Sequence, residues 1–272
     1  MINLVLKLHQ KVVVPLWHFG WQQALSCIFP VLIFLTLALS KVVGIPFLHR
    51  YDFILLMCVL IQAGMLWWKL ESWDELKVIC LFHLIGLGLE LYKVHMGSWS
   101  YPEPAWTKIA GVPLYSGFMY ASVASYICQA WRRLSLEFVR WPANGVTYTI
   151  AVLIYVNFFS HHFMPDIRWF LVIGLFLFFG KSYVNFTINR QRYQLPTILS
   201  FFLIGFFIWI AENISTFFGA WQYPNQAKTW QLVHFSKINS WFLLVIISII
   251  IVANLKHWQQ RSPMQATAPR SR

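Results

Sequence analysis

The sequence predicts an all-α, polytopic integral-membrane bundle of about eight transmembrane helices, arranged as two parallel four-helix repeats with both termini cytoplasmic. Three observations lead there. Hydrophobic residues make up 58% of the 272 and charged residues 11%, with a mean hydropathy of +0.59; a soluble domain carries roughly 25% charge. Apolar runs of membrane length recur from one end of the chain to the other. A polar-aromatic box also occurs twice. Glu90-x6-Gly97-x-Trp99-x-Tyr101-Pro102 returns as Glu212-x6-Gly219-x-Trp221-x-Tyr223-Pro224, every matched pair 122 positions apart.

Taken in order, residues 1–22 read as an amphipathic, Trp-bearing segment lying on the membrane surface. Lys7 and Lys11 interrupt its apolar stretch and no small-residue cleavage site follows, which argues against a cleaved signal. Spans are expected near 24–43, 53–69, 75–92, 112–130, 143–163, 167–184, 196–214 and 237–255. Pro165 and Asp166 leave only a tight turn between the fifth and the sixth. The tail from Ser262 is polar, holds two prolines and reads as disordered. The whole chain, 1–272, is one membrane domain, with repeat one over about 24–130 and repeat two over about 143–255.

Alternating the loops places 14 of the 21 Lys and Arg residues on the side that holds both termini. The positive-inside rule therefore makes that side cytoplasmic. Because each repeat has an even number of spans, the two share one orientation and are related by an axis along the membrane normal. The formal charge of +12 is scattered singly through loops, so it serves orientation in the bilayer and not nucleic acid. Cys27, Cys58, Cys80 and Cys128 each fall in an apolar run without a Cys-x-x-Cys, and read as reduced core residues.

In this topology Glu90 and Glu212 close their spans on the same side as His49, Asp52, His95, Glu103, His161, His162 and Asp166. Three readings compete. A metal centre would use His49-x2-Asp52 and His162-x3-Asp166 with the two glutamates, but neither spacing is a known signature and no metal or cofactor is expected. As acid–base groups, the glutamates could differ in protonation, since Lys93 stands one turn after Glu90 where the second copy has Ser215. The third reading has each Glu bonding a local Trp, Tyr or backbone group and fixing the fold. His83 faces the same side as Glu90 and reads as a helix–helix hydrogen-bonding residue. Trp99, Tyr101, Trp221, Tyr223 and His95 are the candidate walls of a binding pocket, because ring faces suit a flat apolar or cationic ligand.

The run ELYKVHMGSWSYPEPAWTKIAGVPLYSGFMYASVASYI, residues 90–127, resembles the YoaT-like bacterial integral-membrane family of unknown function (domain of unknown function 817). The resemblance extends over nearly the whole chain and implies a multi-pass protein of the bacterial inner membrane, with no activity attached. More distantly, Glu90, Gly97, Trp99, Tyr101 and Gly111-Val112-Pro113-Leu114 resemble the membrane carotenoid hydratases and the heterodimer-type lycopene cyclases. That resemblance implies protonation of a polyene end by a carboxylic acid. The expected function is thus an enzyme acting on an isoprenoid- or carotenoid-like lipid, with Glu90 and Glu212 as acid–base residues and membrane lipid or a hydrophobic small molecule as partner. The alternatives are a proton-coupled small-molecule transporter and a non-catalytic membrane partner subunit.

Overall fold

The computed structural model describes residues 12–44 and 46–266. Residues 1–11 of the expected surface segment and 267–272 of the expected tail lie outside the described residues. The first helices among the described residues are α1 (Val14–Ser26) and α2 (Ile28–Val42), which meet at 62°. Pro30 accounts for the break: it offers no N–H to the Ser26 carbonyl, and its ring crowds that carbonyl. The run expected to form one span over 24–43 is therefore divided between two helices.

Next come α3 (Arg50–Trp67) and α4 (Trp73–His95). A reciprocal capping box starts α4: Glu75 N donates to Ser72 Oγ at 3.2 Å, and Ser72 N to Glu75 Oε2 at 2.9 Å. A short hairpin, β1 (Lys108–Ile109) and β2 (Val112–Pro113), leads to α5 (Ser116–Leu134). After β3 (Glu137–Val139), α6 (Asn144–Ser160) and α7 (Arg168–Phe179) come β4 (Tyr183–Ile188) and β5 (Gln191–Pro196). The chain ends with α8 (Thr197–Phe217), a 3-10 turn at Pro224–Gln226 and α9 (Lys237–Ala266).

The molecule is mostly helical, as the all-α expectation has it, with a few short strands that the expectation did not include. Strands β3, β4 and β5 form an antiparallel sheet in that order, with Glu137 opposite Asn185 and Val184 opposite Leu195. Asn189 and Arg190, with φ of 50° and 65°, make the two-residue turn that a twisted hairpin requires. The run expected over 167–184 stops as a helix at Phe179. Beyond it Tyr183, Val184, Phe186, Thr187 and Ile188 are β-branched or aromatic and fit a pleated strand.

Among the described residues three helices, α3, α4 and α8, are long and apolar enough to cross a membrane, or up to four if the bent pair α1–α2 counts as one span. The remaining expected spans do hold helices. However, α7 has only 12 residues, about 18 Å against a hydrocarbon core of about 30 Å. Helix α5 carries Ser116, Ser122, Ser125, Gln129, Arg132 and Arg133, which make it polar for its length.

Helices α4 and α5 pack closely, as do α8 and α9. Both contacts use glycine. A Cβ on Gly117 would come within 2.6 Å of the His83 carbonyl, and one on Gly205 within 2.9 Å of Phe242 N. Leu175, Phe179, Phe201 and Ile246 are fully enclosed in one apolar cluster, and Phe29, Leu37, Tyr51 and Tyr115 in another. Arg50, at the start of α3, donates to Phe218 O at 2.5 Å, Gly219 O at 3.1 Å and Glu103 Oε1 at 2.7 Å. A cation on these last carbonyls is favourable at the negative end of α8, and it pins one box against the first helices.

Candidate functional site

Both boxes begin as helix C-termini of one design. After α4, Met96 N donates to Tyr92 O, Gly97 N to Val94 O and Ser98 N to Lys93 O, at 3.0, 3.0 and 2.9 Å. After α8, Phe218 N, Gly219 N and Ala220 N donate to Ile214, Thr216 and Ser215 at 3.1, 3.0 and 2.9 Å. Gly97 and Gly219 have φ of 69° and 71°, the left-handed conformation that ends a helix with its last carbonyls satisfied. The chain then folds back along the turn it has just left. Tyr101 thereby reaches Glu90, and Tyr223 reaches Glu212.

Glu90 and Glu212 are 6% and 4% exposed. Glu90 Oε2 accepts from Trp99 Nε1 at 2.6 Å and from the Tyr101 hydroxyl at 2.7 Å, while Oε1 accepts from the Tyr120 hydroxyl at 2.9 Å. Glu212 Oε1 accepts from the Tyr223 hydroxyl at 2.5 Å and Oε2 from Trp241 Nε1 at 2.9 Å. Burial, then the neighbouring glutamate, pushes the Tyr101 and Tyr223 hydroxyls well above the ordinary phenol range, so both remain donors.

The boxes meet. Ser100 and Gln222, matched positions of the two copies, exchange both backbone hydrogen bonds at 2.9 Å. The Trp99 and Tyr223 rings lie 5.8 Å apart, and those of Tyr120 and Trp241 6.4 Å apart. A cation stands over one ring of each box: Lys237 Nζ is 4.8 Å from the Tyr223 centroid and 5.3 Å from that of Trp99. Ring faces expected to receive a cationic ligand thus hold the chain's own ammonium.

Of the residues singled out in the sequence, Glu90, Glu212, Trp99, Tyr101 and Tyr223 come together. Trp221, the offset partner of Trp99, packs with Trp99 against the same Trp209, Tyr223 and Val233 cluster. His95 is exposed at the last position of α4, outside the cluster. Lys93 does not pair with Glu90; its ammonium turns to Phe158 O, His161 and His162. Asp52 accepts from Trp106 N, Thr107 N and Thr107 Oγ1 at 2.9, 3.0 and 2.5 Å, and His49 packs on Trp106. Asp166 is held by Asn157 and Arg168. The residues of the metal reading are therefore bound up at separate points, and among the described residues no three His, Cys, Asp or Glu form a metal-ready group.

Tyr120 and Trp241 belong to the aromatic residues that the sequence gathers around the two boxes, but their bonds to the glutamates, and Lys237 beside them, are not legible in it. A faint signal existed, since Tyr120 is displaced by 122 positions onto Phe242, the neighbour of Trp241. Lys237 carried none beyond its place at the head of an apolar run.

A family profile described as a protein of unknown function (DUF817) matches residues 15–249. The uncharacterized protein YoaT of Bacillus subtilis strain 168 is 61% identical over 249 residues, covering 92% of this chain and 94% of that protein. No solved structure matches the chain.

Proposed function

The chain belongs to the DUF817 family of proteins of unknown function, and from that premise we propose a membrane-embedded enzyme that acts by acid–base chemistry on a hydrophobic, isoprenoid-type lipid. One hydrogen bond and its destination support this. Tyr120, which donates to Glu90 Oε1, also lines a narrow cavity of about 40 Å³ with Phe82, Leu89, Tyr155, Trp241 and Leu244. The cavity is apolar and water-sized, so a lipid gains access only when the surrounding helices part. A protonated Glu90 would pass its proton to the Tyr120 oxygen as the Tyr120 proton passes to a polyene carbon. The electron pair of the double bond forms the new C–H bond and leaves a cation on the adjacent carbon. Aromatic faces stabilise that cation until water adds or a proton leaves. The proton that then leaves, from the cation or from the added water, returns through the Tyr120 oxygen to the Glu90 carboxylate, while Glu212 accepts from Trp241, which can only donate, and holds that ring at the cavity wall.

We propose also that the chain crosses a bacterial inner membrane eight times, as two parallel four-helix repeats with both termini cytoplasmic. The order α2, α3, α4, α5 followed by α6, α7, α8, α9 supports this. So does the Ser100–Gln222 bridge, which joins positions that a two-fold relation between repeats would place on its axis.

The test compares lipid and pigment extracts from strains carrying Glu90→Gln, Glu212→Gln or a deletion. Each substitution is expected to accumulate the compound that the deletion accumulates, and extracts unchanged in all three would end the proposal. A proton-coupled permease is the second reading, favoured by the enclosure of both acids beside the half-buried Lys237. Proton flux into vesicles that depends on added solute and fails in Glu90→Gln would select it.

A further inference from the structure

Apart from the two acids and the half-buried Lys237, a buried cation meets the C-terminal end of α6. Lys93, on α4, is 3% exposed, and its ammonium meets three acceptors: Phe158 O at 3.1 Å, His162 Nε2 at 3.0 Å and His161 Nε2 at 3.4 Å. The Phe158 ring lies against the same nitrogen, its centroid 4.2 Å away. An ammonium has donors and no acceptor, so both Nε2 atoms must be unprotonated to receive it. His161 Nδ1 faces Phe158 O at 2.9 Å and Asn157 O at 3.1 Å, which fixes the proton of this imidazole on Nδ1. The two imidazoles lie 4.2 Å apart at 35°. Beside them the Tyr92 hydroxyl donates to Phe159 O at 2.5 Å. These bonds tie the end of α4 to the end of α6.

We infer that Lys93, His161 and His162 form a proton-operated latch between α4 and α6. Protonating either Nε2 turns an acceptor into a donor that faces an ammonium, so the bond to Lys93 becomes a repulsion between like charges. The Lys93 ammonium beside both Nε2 atoms opposes a positive charge on either ring, which keeps the latch closed at neutral pH. The other charged groups facing the cluster come from three elements. Asp166, in the α6–α7 turn, attracts a charged His161 and is itself paired with Arg168 of α7 at 2.8 Å. Arg168 and Lys237, the latter at the head of α9, add positive charge around Lys93. Cations outnumber the single acid, so acid pH drives the cluster apart. The His161 amide bonded to Asn157 O, and the Phe163 and Met164 amides bonded to Ser160 O, are the backbone groups that opening would expose.

Hydrogen–deuterium exchange on the full-length protein in detergent tests this, following the peptide over residues 158–164 from about pH 8 to about pH 5 after correction for intrinsic exchange. Wild-type protection is expected to fall several-fold as the pH drops. In His161→Gln/His162→Gln, whose amide oxygens accept without titrating, it is expected to hold. Flat protection in the wild type, or the same loss in the double variant, would overturn the latch. Should that variant misfold, histidine ring NMR on the wild type decides the matter. Two imidazoles titrating below the ordinary range and rising in Lys93→Met support the latch, and ordinary titration of all histidines overturns it.

Discussion

Glu90 takes its three donors from the returning box (Trp99, Tyr101) and from the facing helix (Tyr120), so its orientation is fixed by residues that local sequence and tertiary packing supply separately. The box contribution was legible, because a carboxylate ending an apolar run and a Tyr eleven residues on imply a chain that turns back. The facing-helix contribution was not: Tyr120 and Trp241 occupy positions that do not correspond under the 122-residue offset. Glu71 shows the same limit at the other end of α4. It precedes that helix, is 4% exposed, and accepts from Gln62 Nε2 at 2.6 Å and from Ser125 Oγ. Burial pushes its carboxyl above the ordinary value of 4.5, only partly offset by the Ser125 and Gln62 bonds. A raised acid stabilises the fold below its unfolded value and loses that contribution as pH climbs through the folded one. Thermal unfolding in detergent should therefore show wild-type stability declining from about pH 4.5 upward, with Glu71→Gln flattening the decline. Glu71→Ala should instead cost about 1–3 kcal/mol across the range, by leaving Gln62 and Ser125 without a partner. An equal pH slope in wild type and Glu71→Gln would refute the assignment.

Helices were readable from apolar runs because burial or lipid contact rewards the same residues over the same length. Where the runs misled, a local rule had overridden hydropathy. Pro30 divides the first run, and Gly180 with the β-branched and aromatic stretch after it cuts the sixth short in favour of the β4–β5 hairpin. The turn of that hairpin, Asn-Arg, lacks the Gly that usually advertises it. Glycine on the helix surfaces carries the opposite lesson, since its role depends on what faces it. Gly117 lies against His83 and Gly205 against Phe242, whereas a Cβ on Gly88 of α4 would meet nothing within 4 Å. Gly117→Ala and Gly205→Ala should each destabilise by about 1–3 kcal/mol through overpacking. Gly88→Ala should raise stability by about 0.5–1 kcal/mol through helix propensity alone. Unfolding midpoints of the three variants in one detergent check this, and a common sign for all three would contradict the packing described.

At the scale of the whole molecule, what needs explaining is why two loops more than a hundred residues apart lie in register. Each box has anchors of its own, the first Glu90 and Lys108 Nζ on Tyr101 O at 2.6 Å, the second the Tyr115 hydroxyl on Ala220 O, and Arg50 serves both by donating to Phe218 O and to Glu103 Oε1. The Ser100–Gln222 bridge then closes the gap between two preorganised pieces. Because each partner is already ordered, joining them costs little further chain entropy. Residues that exchange both backbone bonds in an antiparallel pair stand with Cα atoms about 5.5 Å apart, inside the span a disulfide accepts. Ser100→Cys/Gln222→Cys, in a background with Cys27, Cys58, Cys80 and Cys128 replaced by Ser or Ala, should therefore oxidise within one chain and migrate faster on a non-reducing gel. Each single variant should migrate unchanged. A cross-link that forms only between chains, or none at all under oxidant, would mean that the boxes do not meet in the membrane. The proposed acid–base site, which needs Glu90, Glu212 and Lys237 in one place, would then fall with them.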